Sequence, residues 1–270
     1  MIRMIATDLD GTLLSIGSAL PEENVRALQR AMEAGVQVVL CSGRMLEATL
    51  PIAQAIGVNA PMVLFNGSMV YDCAAERTLH SRCIPRETAL AVLRAIEARG
   101  AYVQAFPGRG YYFEAATEHT QVYQNKISVV GSAVGKKLSD WLETDVYKLL
   151  CIGTPEETNR IARELGELFP EVSFVKSSQT YLEIVARGVD KADGLRAVSA
   201  VTGIGPEEIL AFGDEQNDLP MLAYAGTGYA MENAPEEVRR QARFIAPRNS
   251  ECGLAKIVNL YLNEGRMGRG

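Results

Sequence analysis

Short apolar segments recur along this chain, and each runs into glycine or small polar residues before a helix-like spacing of apolar positions begins. Met1 to Thr7 ends at Asp8-Leu9-Asp10-Gly11-Thr12. Between Pro21 and Gly35, Val25, Leu28 and Met32 lie three and four residues apart, which predicts an amphipathic helix with proline at its start and glycine at its end. Val36 to Cys41 is apolar throughout and meets Ser42-Gly43-Arg44, while Pro61 to Phe65 meets Asn66-Gly67-Ser68. Continuous apolar strands alternating with helices predict a parallel sheet, covered on both faces and built from right-handed crossovers.

The pattern changes near residue 80. A helix is predicted over Arg86 to Arg99, and an aromatic, hairpin-like stretch over Ala101 to Glu114 turns at Gly108-Arg109-Gly110. Strands follow near Val146 to Ile152 and Tyr181 to Val185, with a helix (Pro155 to Phe169) and a strand (Val172 to Val175) between them. Tyr181-Leu182-Glu183-Ile184-Val185 alternates polar and apolar, which predicts a sheet with one wet face, as in antiparallel α+β layers. The crossover rhythm then resumes with a helix over Ala192 to Thr202, a strand at Ile209 to Phe212 and short strands at Gly228 to Met231 and Phe244 to Ala246. The fold class is therefore α/β: a doubly wound, Rossmann-like parallel-sheet core (1–79 and 187–270) with an inserted α+β cap (80–186). The tail from Glu264 to Gly270 is expected to fray.

With 270 residues, 47% of them hydrophobic, the chain is long enough for a sizeable core and two domains. A net charge of −6 and a pI near 5.2 argue against nucleic acid or an anionic membrane as main partner. No apolar run reaches the length of a membrane span, and Asp8 and Asp10 interrupt the amino-terminal apolar stretch before it forms a signal peptide, so the cytoplasm is the expected compartment. Cys41, Cys73, Cys83, Cys151 and Cys252 lack any C-x-x-C pair and read as reduced, mostly buried thiols. His80 and His119 have no partner at metal-ligand spacing and read as surface or loop residues.

The chemistry sits where strands end. Asp8 and Asp10 are two carboxylates at the carboxyl edge of a sheet, suited to holding a hard cation such as Mg²⁺, to dividing acid and base duties, or both. An acidic turn is the plain alternative. Asp214, Asn217 and Asp218 follow another apolar strand, and two acidic strand ends from opposite halves of one sheet can meet across its crevice. Asp218 also reads as a helix N-cap. Ser42 and Gly43 offer a hydroxyl and a backbone N–H to a phosphate, and Lys191, if it reaches the crevice, adds a point charge. Gly131 to Lys137 is one residue short of a phosphate-binding loop, and Gly226-Thr227-Gly228 lacks a third glycine, so both read as turns.

These blocks, Asp8-x-Asp10-Gly-Thr, Ser42-Gly-Arg, Lys191 and Gly213-Asp214-x-x-Asn217-Asp218, occur in the order found in the haloacid dehalogenase-like hydrolases. The chain most resembles their Cof-type phosphatases, which carry a large α/β cap between the second and third motifs. The similarity extends to Asn66-Gly67, Leu182-Glu183-Ile184, Met221-Leu222 and Ala230-Met231-x-Asn233-Ala234. Cys252 stands where relatives usually have Asp, which affects a local loop or capping bond and not the chemistry.

The resemblance implies a Mg²⁺-dependent hydrolysis of small phosphomonoesters. Asp8 attacks phosphorus, and Asp10, its side chain otherwise unengaged, protonates the leaving alcohol and later activates water. It places the metal on the Asp8 carboxylate, the Asp10 backbone carbonyl and Asp214, and the phosphoryl group on Leu9, Ser42, Gly43, Lys191 and Asn217, with Asp218 steadying Lys191 or the metal's shell. A phosphomutase with the same nucleophile and a non-catalytic phosphate sensor are the alternatives. Relatives act on sugar phosphates, flavin mononucleotide and pyridoxal phosphate; the candidates for facing the substrate from the cap are Arg109, Tyr111, Tyr112, Lys126 and Tyr181.

Overall fold

A computed structural model describes residues 1–268. Strand β1 (Met4–Thr7) is buried at every position. Helix α1 (Glu22–Glu33) opens with Glu22 and Glu23, whose charge suits the helix dipole, and buries Asn24, Ala27, Leu28 and Ala31. Val25 and Met32 only flank that face. After β2 (Gln37–Leu40), α2 (Leu46–Ile56) and β3 (Met62–Leu64), strands β4 (Met69–Asp72) and β5 (Arg77–Ser81) add a small antiparallel sheet, in the order β3-β4-β5.

The cap follows as α3 (Arg86–Glu97), β6 (Tyr102–Phe106), β7 (Tyr112–Phe113), α4 (Glu118–Ile127), β8 (Ser132–Ala133), α5 (Leu138–Trp141), β9 (Lys148–Ile152), α6 (Pro155–Gly166), β10 (Val172–Lys176) and β11 (Tyr181–Ala186). Its sheet runs β10-β11-β9-β6-β7-β8 and is antiparallel except for β7 against β8. Val103, Ala105, Leu149, Cys151, Leu182 and Ile184 form one apolar cluster with Leu93 of α3 and Ile161 and Leu165 of α6. The opposite face carries Gln104, Phe106, Lys148, Tyr181 and Glu183, and every residue of β11 is buried. The wet face read from its alternation is a covered one: its polar side chains are turned toward the core, where Lys148 donates to the Gly43 carbonyl.

The chain returns through α7 (Lys191–Thr202), β12 (Ile209–Gly213), α8 (Leu219–Tyr224), β13 (Thr227–Met231), α9 (Glu236–Gln241), β14 (Phe244–Ala246) and α10 (Gly253–Asn263). Its sheet is wholly parallel, in the order β14-β13-β12-β1-β2, and Cys41 bridges to Val63 to bring β3 alongside β2. The winding goes outward one way from β1 and the other way from β12. The crevice at the carboxyl ends of these two strands is therefore the topological switch point, where such sheets bind ligands.

Some expectations need correction. The tail does not fray through residue 268: Met267 is buried and bridges to Ile2, whose N–H donates to the Arg266 carbonyl; the expectation for residues 269–270 lies outside the described residues. Thr227 and Gly228 belong to β13, and Ser132–Ala133 is a strand, so neither glycine-rich stretch is only a turn. His80 lies on β5 and His119 on α4, both half-buried. Of the five free cysteines, only Cys41 and Cys151 are buried. Cys252 precedes α10 in a left-handed conformation and makes no side-chain cap. Among the described residues, no helix is long and apolar enough to cross a membrane.

Candidate active site

Asp8 leaves β1 at the switch point, its backbone N–H still bonded to Phe212 of β12. Gly11 follows at φ +80°, and a Cβ there would stand 2.1 Å from Asp214 Oδ2. Only glycine therefore lets the two acidic loops approach so closely. Thr12 Oγ1 donates to Asp214 Oδ1 at 2.9 Å, fixing the second carboxylate from the first loop. Gly11→Ala is expected to cost roughly 1–3 kcal/mol from backbone strain and displacement of Asp214, lowering the thermal unfolding midpoint by several degrees. An unchanged midpoint would contradict this packing.

Lys191, at the first position of α7, is fully buried and donates to Asp8 Oδ1 and Asp218 Oδ1, both at 2.5 Å. Asp218 Oδ2 accepts the N–H groups of Asp214 and Glu215 at 2.8 and 3.0 Å. Asp218 thus caps its own loop while it pairs with the lysine. Carboxylate oxygens of Asp8, Asp214 and Asp218 lie within 4.8 Å of one another. Burial pushes Asp8 up to about 7, with Asp218 and Asp10 adding repulsion that Lys191 only partly offsets. Burial, then the charges of Asp8 and Asp218, drive Asp214 well above the carboxylate range. Burial disfavours the Lys191 ammonium, but Asp218 and Asp8 outweigh it and hold the group protonated.

Residues 5–258 match the haloacid dehalogenase-like hydrolases. The chain belongs to that family. It is 29% identical over 265 residues to the 5-amino-6-(5-phospho-D-ribitylamino)uracil phosphatase YitU of Bacillus subtilis, covering 96% of this chain and 97% of YitU. It is 27% identical over 278 residues to the pyridoxal phosphate phosphatase YbhA of Escherichia coli, covering 96% and 98%. A haloacid dehalogenase-like hydrolase from Bacteroides thetaiotaomicron superposes with a TM-score of 0.86 at 26% identity, over 96% of this chain and 99% of that one.

In this haloacid dehalogenase-like hydrolase the second motif closes the crevice from the β2 side. The Arg44 N–H donates to Ser42 Oγ at 3.1 Å. Phe65 and Asn66 adopt positive φ after β3, at +50° and +58°. That turn presents Asn66 Oδ1 to the Asn217 side-chain amide at 2.9 Å. Leu9, by contrast, points its side chain into the apolar core, so any part it takes at the site falls to its backbone.

The Asp10 carboxylate is engaged, contrary to expectation: Arg44 grips it through Nε at 2.8 Å and Nη2 at 2.6 Å. Burial works to raise the Asp10 pKa, but the Arg44 hydrogen bonds, aided by the Lys126 charge, hold it below the ordinary carboxylate range. Arg44 lay in a motif already singled out, yet spacing alone does not show which way a long side chain turns.

Above the motifs, cap and core line a narrow, partly open cleft with Asp8, Asp10, Arg44, Lys126, Tyr181 and Glu215, among others. Lys126 lies over the Tyr181 ring at 4.6 Å. The other cap candidates do not reach the cleft. Tyr111 is buried against Phe106 and Tyr123, Tyr112 packs on Trp141, and Arg109 is 86% exposed at 4.0 Å from Glu47. Lys148 and Glu183 take their place as a buried ion pair at 2.7 Å. Lys148 begins an apolar strand, and the sequence carries no sign that it faces the site.

Proposed function

We propose that the chain is a Mg²⁺-dependent phosphatase that hydrolyses small phosphomonoesters through an aspartyl-phosphate on Asp8. The carrying observation is that Asp8, Lys191, Asp214 and Asp218, from three separate chain segments, converge at one switch-point crevice. Identity to phosphatases of small phosphorylated metabolites supports the same reading.

The donor set fits a hard cation: oxygen only, buried, and mutually repelling. Asp8, Asp214 and the Asp10 backbone carbonyl would hold Mg²⁺. Asp218 has both oxygens engaged and therefore serves Lys191 and its own loop. When bound, the ion offsets the repulsion between Asp8 and the phosphate dianion and helps hold attack in line. The Asp8 carboxylate forms a bond to phosphorus as the bond to the ester oxygen breaks, and Asp10 gives that oxygen a proton. Asp10 then takes a proton from water as the water attacks the aspartyl-phosphate and frees Asp8. Ser42, Gly43, Lys191 and Asn217 hold the phosphoryl oxygens, Asn217 oriented by Asn66. In this reading residues 80–186 are the cap inserted into the core of 1–79 and 187–270, and the enzyme works in the cytoplasm.

Phosphate release across a panel of phosphomonoesters tests the reading. Turnover is expected with Mg²⁺ and should fall about a hundred-fold in excess chelator. Full turnover without divalent cations contradicts the metal's part. An isomer in place of phosphate identifies a mutase, and no turnover with any ester a sensor.

A further inference from the structure

Lys148 is 1% exposed, and burial lowers its pKa against the opposing pull of Glu183, yet its side chain reaches out of its own sheet. Its ammonium pairs with Glu183 at 2.7 Å, lies 4.5 Å from the centre of the Phe106 ring and donates at 2.7 Å to the backbone carbonyl of Gly43 in the core. A buried ion pair of this kind seldom adds stability over a well-packed apolar pair. Its placement matters more than its energy. The carbonyl it holds belongs to the Gly43–Arg44 peptide, whose N–H donates to Ser42 Oγ. Hydrogen bonds run in one direction from ammonium to carbonyl, through the peptide, and on to the serine hydroxyl, and each polarises the next. With Ser42 Oγ accepting from Arg44, its hydroxyl stays available to donate, and Ser42 lines the cleft.

We propose that Lys148 is a positioning residue for phosphoryl transfer: from the cap it polarises the Gly43–Arg44 peptide and so sets the Ser42 hydroxyl as a phosphate donor. The inference rests on the phosphatase reading for its kinetic meaning, but the coupling belongs to the resting structure. Lys148 joins the cap to the phosphate loop at Gly43, beside the bond from Arg44 Nη2 to the Lys126 carbonyl at 3.3 Å. Lys148 acts on the phosphoryl end, not on the leaving group.

Acetyl phosphate, whose leaving group is too small to touch much of the cap, separates these roles. Lys148→Met should lower kcat roughly ten-fold with acetyl phosphate and by the same factor with a sugar phosphate. The loss should vanish when Ser42→Ala is already present. A loss confined to the sugar phosphate, or losses that multiply with Ser42→Ala, would overturn the proposal. Should Lys148→Met fold poorly with Glu183 left unpaired, Lys148→Met/Glu183→Gln carries the same comparison. An NMR measurement without substrate decides independently of turnover. The Arg44 amide proton should move upfield in either variant as its hydrogen bond weakens, and an unmoved resonance refutes the coupling. Absence of turnover together with that shift would sink the phosphatase reading alone.

Discussion

Asp8→Asn is expected to abolish phosphate release, by about 10⁴-fold or more, while the protein stays folded. Asparagine has the shape of aspartate but no carboxylate to attack phosphorus. Such isosteric changes often unfold a protein when they strand a buried partner. Here the partner is Lys191, which keeps Asp218 at 2.5 Å as its counterion. Burial already pushes Asp8 up to about 7, so the fold accommodates a neutral side chain at this position. Rapid-quench assays with labelled substrate should show no burst and no labelled protein, and the thermal midpoint should hold. Near-normal turnover in the variant would show that another group attacks.

Asp10→Asn should cost about 10²- to 10⁴-fold, the range for general acid–base catalysis, and the loss should depend on the leaving group. The Arg44 grip favours the ionised form of Asp10 in the resting cleft, the form that the proposed activation of water requires. To act as an acid it must first gain a proton. The phosphate dianion supplies the cause, because a like charge nearby raises a carboxyl pKa and competes with Asp10 for Arg44. An alkyl phosphate needs that proton on its departing oxygen, whereas nitrophenolate leaves without it. The first phosphoryl transfer, measured by rapid quench, should suffer far more with the sugar phosphate than with nitrophenyl phosphate. Equal losses would refute Asp10 as the general acid.

The core was legible because buried parallel strands write themselves as apolar runs, and their polar ends announce the site. Asp8, Ser42 and Asp214 could be placed at one sheet edge from the order of strand ends alone, whereas Lys191 opens a helix after the cap and entered only conditionally, through the order of the family's motifs. The cap was less legible. Glu183 alternates with apolar neighbours just as a wet strand does, and only packing shows that its outward face is covered by the core. Tyr111 and Tyr112 depended on a register that periodicity does not fix in a strand of two residues. Arg44, Asn66 and Lys148 escaped assignment of a role for another reason. Each acts through a partner distant in the chain, and a one-dimensional pattern holds no record of such pairs.

Thr12 bonds Asp214 across 202 positions, so the two acidic loops can meet only after most of the chain has left the ribosome. The cap sheet closes within one continuous stretch, β6 to β11, whereas β1 must wait for β12 before it has neighbours on both sides. Pairings this distant in sequence form late and slowly. A nascent chain that already holds Asp8, Asp10 and a complete cap still lacks Lys191, Asp214, Asn217 and Asp218. A product that ends before Asp218, however well its cap folds, thus lacks part of the proposed site.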